Sequence, residues 1–173
     1  MFNELPKRKS IRLQGYDYLR AGQYFITICI QGGHEILGEI VGADDPVRPQ
    51  IKLTDVGNLV DDCWNKINDI YENVSIGKYC IMPNHFHGIV IINDMDNISI
   101  KQSNNITGGQ GRPPLQKVLQ GFKSVTTRMC FDYGLRKLWQ RSFYDRIIRN
   151  QEEYNYIWKY IEGNPRKWEE IYN

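Results

Sequence analysis

Residues Met82–Ile92 read MPNHFHGIVII. Two of the chain's three histidines, His85 and His87, stand one residue apart at the head of an apolar run. The run from Phe86 to Ile92 is rich in β-branched residues and follows a Pro-Asn pair that favours a turn, so it predicts a strand. Side chains at i and i+2 of a strand point the same way, which sends His85 and His87 to one face and Phe86 to the other. Two imidazoles side by side make half of a metal site. A buried histidine bonded to backbone, or two solvated surface imidazoles, is the alternative.

Longer histidine patterns fail here. A metallo-β-lactamase pattern needs HxHxDH, but Gly88, Ile89 and Val90 follow His87. A histidine-triad hydrolase needs a third alternating histidine, and a (β/α)₈ amidohydrolase needs about 250 residues. The third histidine, His34, follows Gly32-Gly33 in a turn and is not expected to be a ligand. A partner for the pair must come from another side-chain type.

Outward from this stretch, Val74–Met82 predicts a strand joined to Phe86–Ile92 through Pro83-Asn84. Tyr24–Ile30 (YFITICI) alternates as a strand with one buried face, and Gly38–Val41 and Gln50–Leu53 read as short strands around the turn GADDPVRP. Thr54 predicts a helix N-cap, with Val56, Leu59, Val60, Cys63, Trp64, Ile67 and Ile70 recurring at helical spacing behind it. Leu115, Val118, Leu119, Phe122, Val125 and Met129 mark a second amphipathic helix. Phe143–Ile148 predicts a last strand. Asn150 with Glu153 forms an Asx-type capping box, and a third helix should run from Gln151 until Gly163 and Pro165 stop it. The polar segment 93–112 predicts a mobile loop. Strand, helix, strand pair, helix, strand, helix is an α+β order: a ferredoxin-like antiparallel sheet with helices packed on one face.

At 173 residues the chain predicts a single domain, 1–173, with no internal repeat. The four cysteines are isolated, without a CxxC pair, and predict reduced thiols. No apolar run approaches the roughly 20 residues that span a bilayer, and the N-terminus lacks a signal core, which points to the cytoplasm and away from a membrane. The net charge is +2. It is unevenly spread: residues 1–20, a basic N-terminal arm, carry +3, residues 21–111 carry −6 and residues 112–173 carry +5. A phosphate-binding surface would draw on the two ends, although a solvated surface gives the same count.

The third helix carries Tyr154, Tyr156 and Tyr160, and Asn164 lies four residues after the last. Residues at i and i+4 share a helix face roughly 6 Å apart, so a phenol and an amide could face one metal beside the histidines. Spacing alone does not single out Tyr160, because tyrosines alternating with Ile157 and Ile161 also describe a core or interface face.

Five blocks in order decide between these readings: RKSIRLQGYDYLRAGQYFITICI, PNHFHGIVI, GFKSVTTR, WQRSFYDRIIRN and YIEGNPRKW. Together, from about Arg8 to Trp168, they resemble REP-associated tyrosine transposases, single-tyrosine members of the HUH superfamily related to the transposases of small bacterial insertion sequences. The resemblance implies a ferredoxin-like sheet, Mg²⁺ or Mn²⁺ at His85 and His87, and Tyr160 as the nucleophile. It implies Asn164 as third ligand, where the insertion-sequence branch has Gln. The implied reaction cuts and rejoins single-stranded DNA bearing hairpin repeats through a 5′-phosphotyrosine. Arg8, Lys9, Arg12, Lys117, Lys123, Arg128, Arg141, Arg146 and Arg149 are the implied DNA contacts. Relatives act as homodimers or as monomers. A non-catalytic nucleic-acid-binding module and a domesticated repeat-processing nuclease are the competing readings.

Overall fold

Tyr24, Ile26, Ile28 and Ile30 alternate with Phe25, Thr27 and Cys29, and the four large residues are completely or almost completely buried. They form strand β1 (Gly22–Cys29) and its extension, in a computed structural model that describes residues 21–41, 50–93 and 115–172. The basic arm, the turn 42–49 and most of the loop 93–112 lie outside the described residues.

β2 (Gly38–Val41) and β3 (Gln50–Leu53) pair as a separate two-stranded sheet. Helix α1 (Asp55–Asn65) follows, capped by the Thr54 side chain, which accepts from the Gly57 N–H at 3.1 Å. The apolar spacing predicts one helix through Ile70. Instead α1 ends at Lys66, and a single turn, α2 (Ile67–Ile70), leaves Ile70 61% exposed. The reason is local: the Asn68 side-chain oxygen accepts from the Ile76 N–H at 2.9 Å, which pins this turn to the next strand.

β4 (Val74–Met82) and β5 (His85–Ile92) form the expected hairpin. α3 (Leu115–Met129) precedes β6 (Tyr144–Ile148), then come α4 (Gln151–Glu162) and α5 (Asn164–Tyr172). The main sheet has the order β4-β5-β1-β6, with every neighbouring pair antiparallel. Each helical crossover, β1 to β4 through α1 and β5 to β6 through α3, therefore spans one intervening strand, the βαββαβ arrangement of a ferredoxin-like fold.

Strand alternation divides the sheet cleanly. One face presents Tyr24, Ile26, Ile28, Phe86, Val90 and Ile92 to α1 and α3 in one large core around Trp64 and Phe122. Trp64 packs on Phe86 with ring centroids 4.4 Å apart. That approach needs Gly88: a Cβ there would sit 2.8 Å from both the Trp64 and the Phe86 rings. Trp139 seals the edge, bridging to Ile30 and donating its indole N–H to Thr126 at 2.8 Å.

The opposite face is not bare. Ile157 and Ile161 of α4 pack against Ile89 and Ile148 in a second, smaller core. The expected α+β sheet is present, with α1 and α3 on one face; the finding beyond the sequence reading is that α4 covers the other. Asn150 caps α4 as expected, accepting from the Glu153 N–H at 2.8 Å. The Glu153 carboxylate binds the Arg149 N–H at 2.9 Å and the Arg146 guanidinium at 2.6 Å. Gly163 ends α4, but Pro165 does not stop the helical path. It falls in the first turn of α5, where its missing N–H has no carbonyl to lose.

Candidate metal and tyrosine site

The hairpin turn delivers His85 and His87 to the face that α4 covers. On β1 their register partners are Cys29 and Thr27, on β4 Met82 and Cys80. The two Nε2 atoms face each other at 3.0 Å. Each Nδ1 is held from behind, His85 by the Asn84 amide oxygen at 2.8 Å and His87 by the Thr27 hydroxyl at 2.8 Å. An amide oxygen only accepts, so His85 carries its proton on Nδ1 and turns a lone pair forward at Nε2.

Burial pushes the His85 imidazole down to about 4. His87 is pushed down to about 3, first by burial and then by His85, against a hydrogen bond to the Ile26 backbone that favours its charged form. Both rings are held in the neutral form at pH 7, and the His85 lone pair faces the His87 Nε2. Two ligand atoms about 2.1 Å from one metal and at right angles to each other lie about 3 Å apart, so the observed spacing fits a shared divalent ion. Among the described residues no cluster of three or more His, Cys, Asp and Glu forms that could hold a metal. The two imidazoles are neutral donors, and an ion bound to them would keep its positive charge for an anionic partner.

Three aromatic rings enclose the pair. Phe25 stacks on His87 at 5.4 Å, Tyr160 meets the His87 ring at 5.5 Å, and Trp168 of α5 lies 5.6 Å from His85. Tyr160 also contacts Phe25 edge-on at 5.8 Å and carries the Lys167 ammonium 5.0 Å from its ring centroid. The other two tyrosines of α4 go elsewhere. Tyr154 has its hydroxyl close to Gly77 and packs in the smaller core, and Tyr156 is 66% exposed. Geometry therefore singles out Tyr160, which spacing did not.

Asn164 is buried at the start of α5, and its Nδ2 donates to the Tyr160 carbonyl at 3.0 Å. That bond leaves the amide oxygen free to accept, and it ties the position of Asn164 to that of the tyrosine. His34 is exposed. Phe25, Thr27, Asn84, Trp168 and Lys167 escaped the sequence reading. For Thr27 a signal existed: it is the polar residue on the non-core phase of an otherwise apolar strand.

The basic residues divide. Arg8, Lys9 and Arg12 lie outside the described residues. Lys123, Arg128 and Arg141 line one open groove between α3 and the segment leading to β6. Lys117 and Arg149 are exposed outside that groove, and Arg146 is committed to Glu153. All four cysteines are free. No helix among the described residues is long and apolar enough to cross a membrane.

Comparison with known proteins bears on the fold and on the chain's relatives. No protein-family model matches the chain. An uncharacterized protein of Haemophilus influenzae is 34% identical over 169 residues, covering 94% of this chain and 91% of that protein. Among solved structures, a REP-associated tyrosine transposase bound to a REP hairpin is similar at a TM-score of 0.56 and 19% identity, over 84% of this chain and 67% of that one. The chain belongs to one family with the Haemophilus influenzae protein, and its fold is that of the REP-associated tyrosine transposase.

Proposed function

We propose that the protein is a metal-dependent tyrosine transposase that nicks and rejoins single-stranded DNA at hairpin repeats. The observation that carries this reading is the contact of the Tyr160 ring with His87, whose Nε2 converges with that of His85 at 3.0 Å. A tyrosine ring and a pair of imidazoles stand side by side, on a fold also found in a hairpin-bound transposase.

His85, His87 and the Asn164 amide oxygen would hold Mg²⁺ or Mn²⁺, with nitrogen donors favouring Mn²⁺. When bound, the ion supplies Lewis-acid polarisation of a non-bridging phosphate oxygen. The chain's own residues do the rest. Thr27 and Asn84 fix the imidazole orientations, so the donors need no rearrangement as the phosphate arrives. Phe25 and Trp168 exclude water from the ring edges, which strengthens every charge interaction between them. Tyr160 attacks: its phenolic oxygen bonds to phosphorus, the P–O3′ bond breaks, the phenol proton passes to solvent and the 3′ oxygen takes one up. Lys167, over the tyrosine ring, adds a positive charge that would attract the DNA backbone. Because the ester is kept as a 5′-phosphotyrosine, a second 3′-hydroxyl can reverse the step and join a new strand without ATP.

Protein mixed with Mn²⁺ and hairpin-bearing single-stranded DNA should give an adduct that survives denaturing electrophoresis, and Tyr160→Phe should give none. Full adduct yield from the Tyr160→Phe chain would overturn the assignment. Binding without any adduct would favour a non-catalytic nucleic-acid module.

A further inference from the structure

Across the sheet at the level of His87 runs one row of residues. Thr27 on β1 is opposite His87 on β5 and opposite Tyr144 on β6. Directly opposed residues on neighbouring strands share a face, so Tyr144 points to the same side as the metal-ligating pair. Two strand spacings separate it from His87, roughly 10 Å. One row further along, Arg146 faces the same way and is bound to Glu153 in the first turn of α4. That ion pair anchors α4 over the neighbouring row, and the corner of the sheet beyond it carries Tyr144 59% exposed.

The chain just before Tyr144 is tied down at both sides. The Gln140 N–H donates to the Cys29 carbonyl at 2.9 Å, and Cys29 is the register partner of His85. On the other side, the Lys123 ammonium of α3 donates to the Gln140 and Arg141 carbonyls at 2.7 and 3.0 Å. This segment therefore connects the end of the sheet that holds the histidines to an open groove of about 540 Å³ lined by Lys123, Ser124, Thr127, Arg128, Phe131 and Arg141, among others. Lys123 meets carbonyls there, not acids, and among the described residues no carboxylate lines the groove. Phe131, within it, is 55% exposed.

We infer that Tyr144, Arg141, Arg128 and Phe131 form a track for the single-stranded DNA flanking the scissile phosphate. The strand leaves His85 and His87 over the β6 edge, stacks a base on Tyr144 and continues into the groove beside α3. This rests on the DNA-cleaving reading for its direction, but its chemistry is separate. Cations spaced among exposed aromatic faces, without acids between them, suit an unpaired polyanion whose bases are free to stack. Duplex DNA, with its bases already stacked, cannot use Tyr144 or Phe131 in this way.

The test is fluorescence anisotropy with labelled, hairpin-free oligothymidylate of about 20 nucleotides, in the Tyr160→Phe chain so that no cleavage contributes. Arg128→Ala with Arg141→Ala should weaken binding by about tenfold or more near 0.1 M salt and make the log–log salt slope shallower by about 1.4, the value for two phosphate contacts on a single strand. Tyr144→Ala should weaken it roughly tenfold without changing the slope, and Tyr144→Phe should bind as the parent does. All of these positions are exposed, and unchanged thermal melting of the variants would exclude a folding defect. Affinities within twofold of the parent for both the arginine pair and Tyr144→Ala would overturn the track. That outcome leaves adduct formation by the wild-type chain untouched. Conversely, absence of any adduct leaves the measured affinities standing.

Discussion

The two faces of the main sheet are built from the same strands, yet they do opposite things. Toward α1 and α3 the strands present Tyr24, Ile26, Ile28, Phe86 and Val90, all with no exposed surface. Toward α4 and α5 they present Phe25, Thr27, His85, His87 and Cys80, most of them partly accessible. Adjacent residues serve the two tasks: Phe86 fills the core between two histidines whose Nε2 atoms face each other. Rigidity on the first face is what holds donors on the second to a fixed spacing, because a strand cannot move His85 relative to His87 without moving Phe86.

The sharpest test of that division substitutes one residue from each face. Tyr160→Phe should lose adduct formation entirely, by at least about a thousandfold, while urea unfolding shifts by no more than about 1 kcal/mol. Phe86→Ala should do the reverse, costing about 3–5 kcal/mol of stability through the cavity left against Trp64 and Phe122. If Phe86→Ala left unfolding unchanged, the core face would not be the scaffold described.

A smaller effect is expected behind the histidines. Thr27→Val keeps the shape of the strand but removes the hydroxyl that holds His87 Nδ1, and Mn²⁺ affinity measured by calorimetry should fall by about 10–100-fold. Equal affinity in the variant would mean that Thr27 merely fills space.

Acid should act on the ligand face before the core. Both histidines have depressed pKa values in the folded chain, about 4 and about 3, against 6.5 for a free imidazole. The unfolded chain therefore binds more protons between these limits, and stability falls as pH drops from about 6.5 toward 4. Melting temperature should follow that slope, and His85→Phe with His87→Phe should flatten it. The smallest expected change is at the sheet corner: Glu153→Gln, which weakens the ion pair to the 61% exposed Arg146 side chain, should cost under about 1 kcal/mol by thermal melting.

Local chemistry explains what could be read from the chain. Thr54 and Asn150 cap helices as their side chains dictate, and the alternation of YFITICI and HFHGIVII sets both the strands and the face of each residue. The unforeseen elements lie where a local signal has two meanings. Pro165 stops a helix in mid-course but starts one in its first turn, and the break at Gly163 decides which applies. The enclosure of the site was invisible for a different reason. Phe25 and Thr27 reach His87 through strand pairing across 60 residues, and Trp168 reaches His85 through the path of α5. Register and helix docking are tertiary facts, and no short window of sequence contains them.

Gly88 belongs to neither task, yet both depend on it. It follows His87 directly, meets no ligand, and leaves the space through which Trp64 reaches the underside of Phe86. Any larger residue would lift Trp64, loosen Phe86 and let the two imidazoles drift apart. Selection acting only on packing would thus hold a glycine beside the two histidines. In any relative that keeps the fold, the glycine should stay whatever becomes of the histidines beside it.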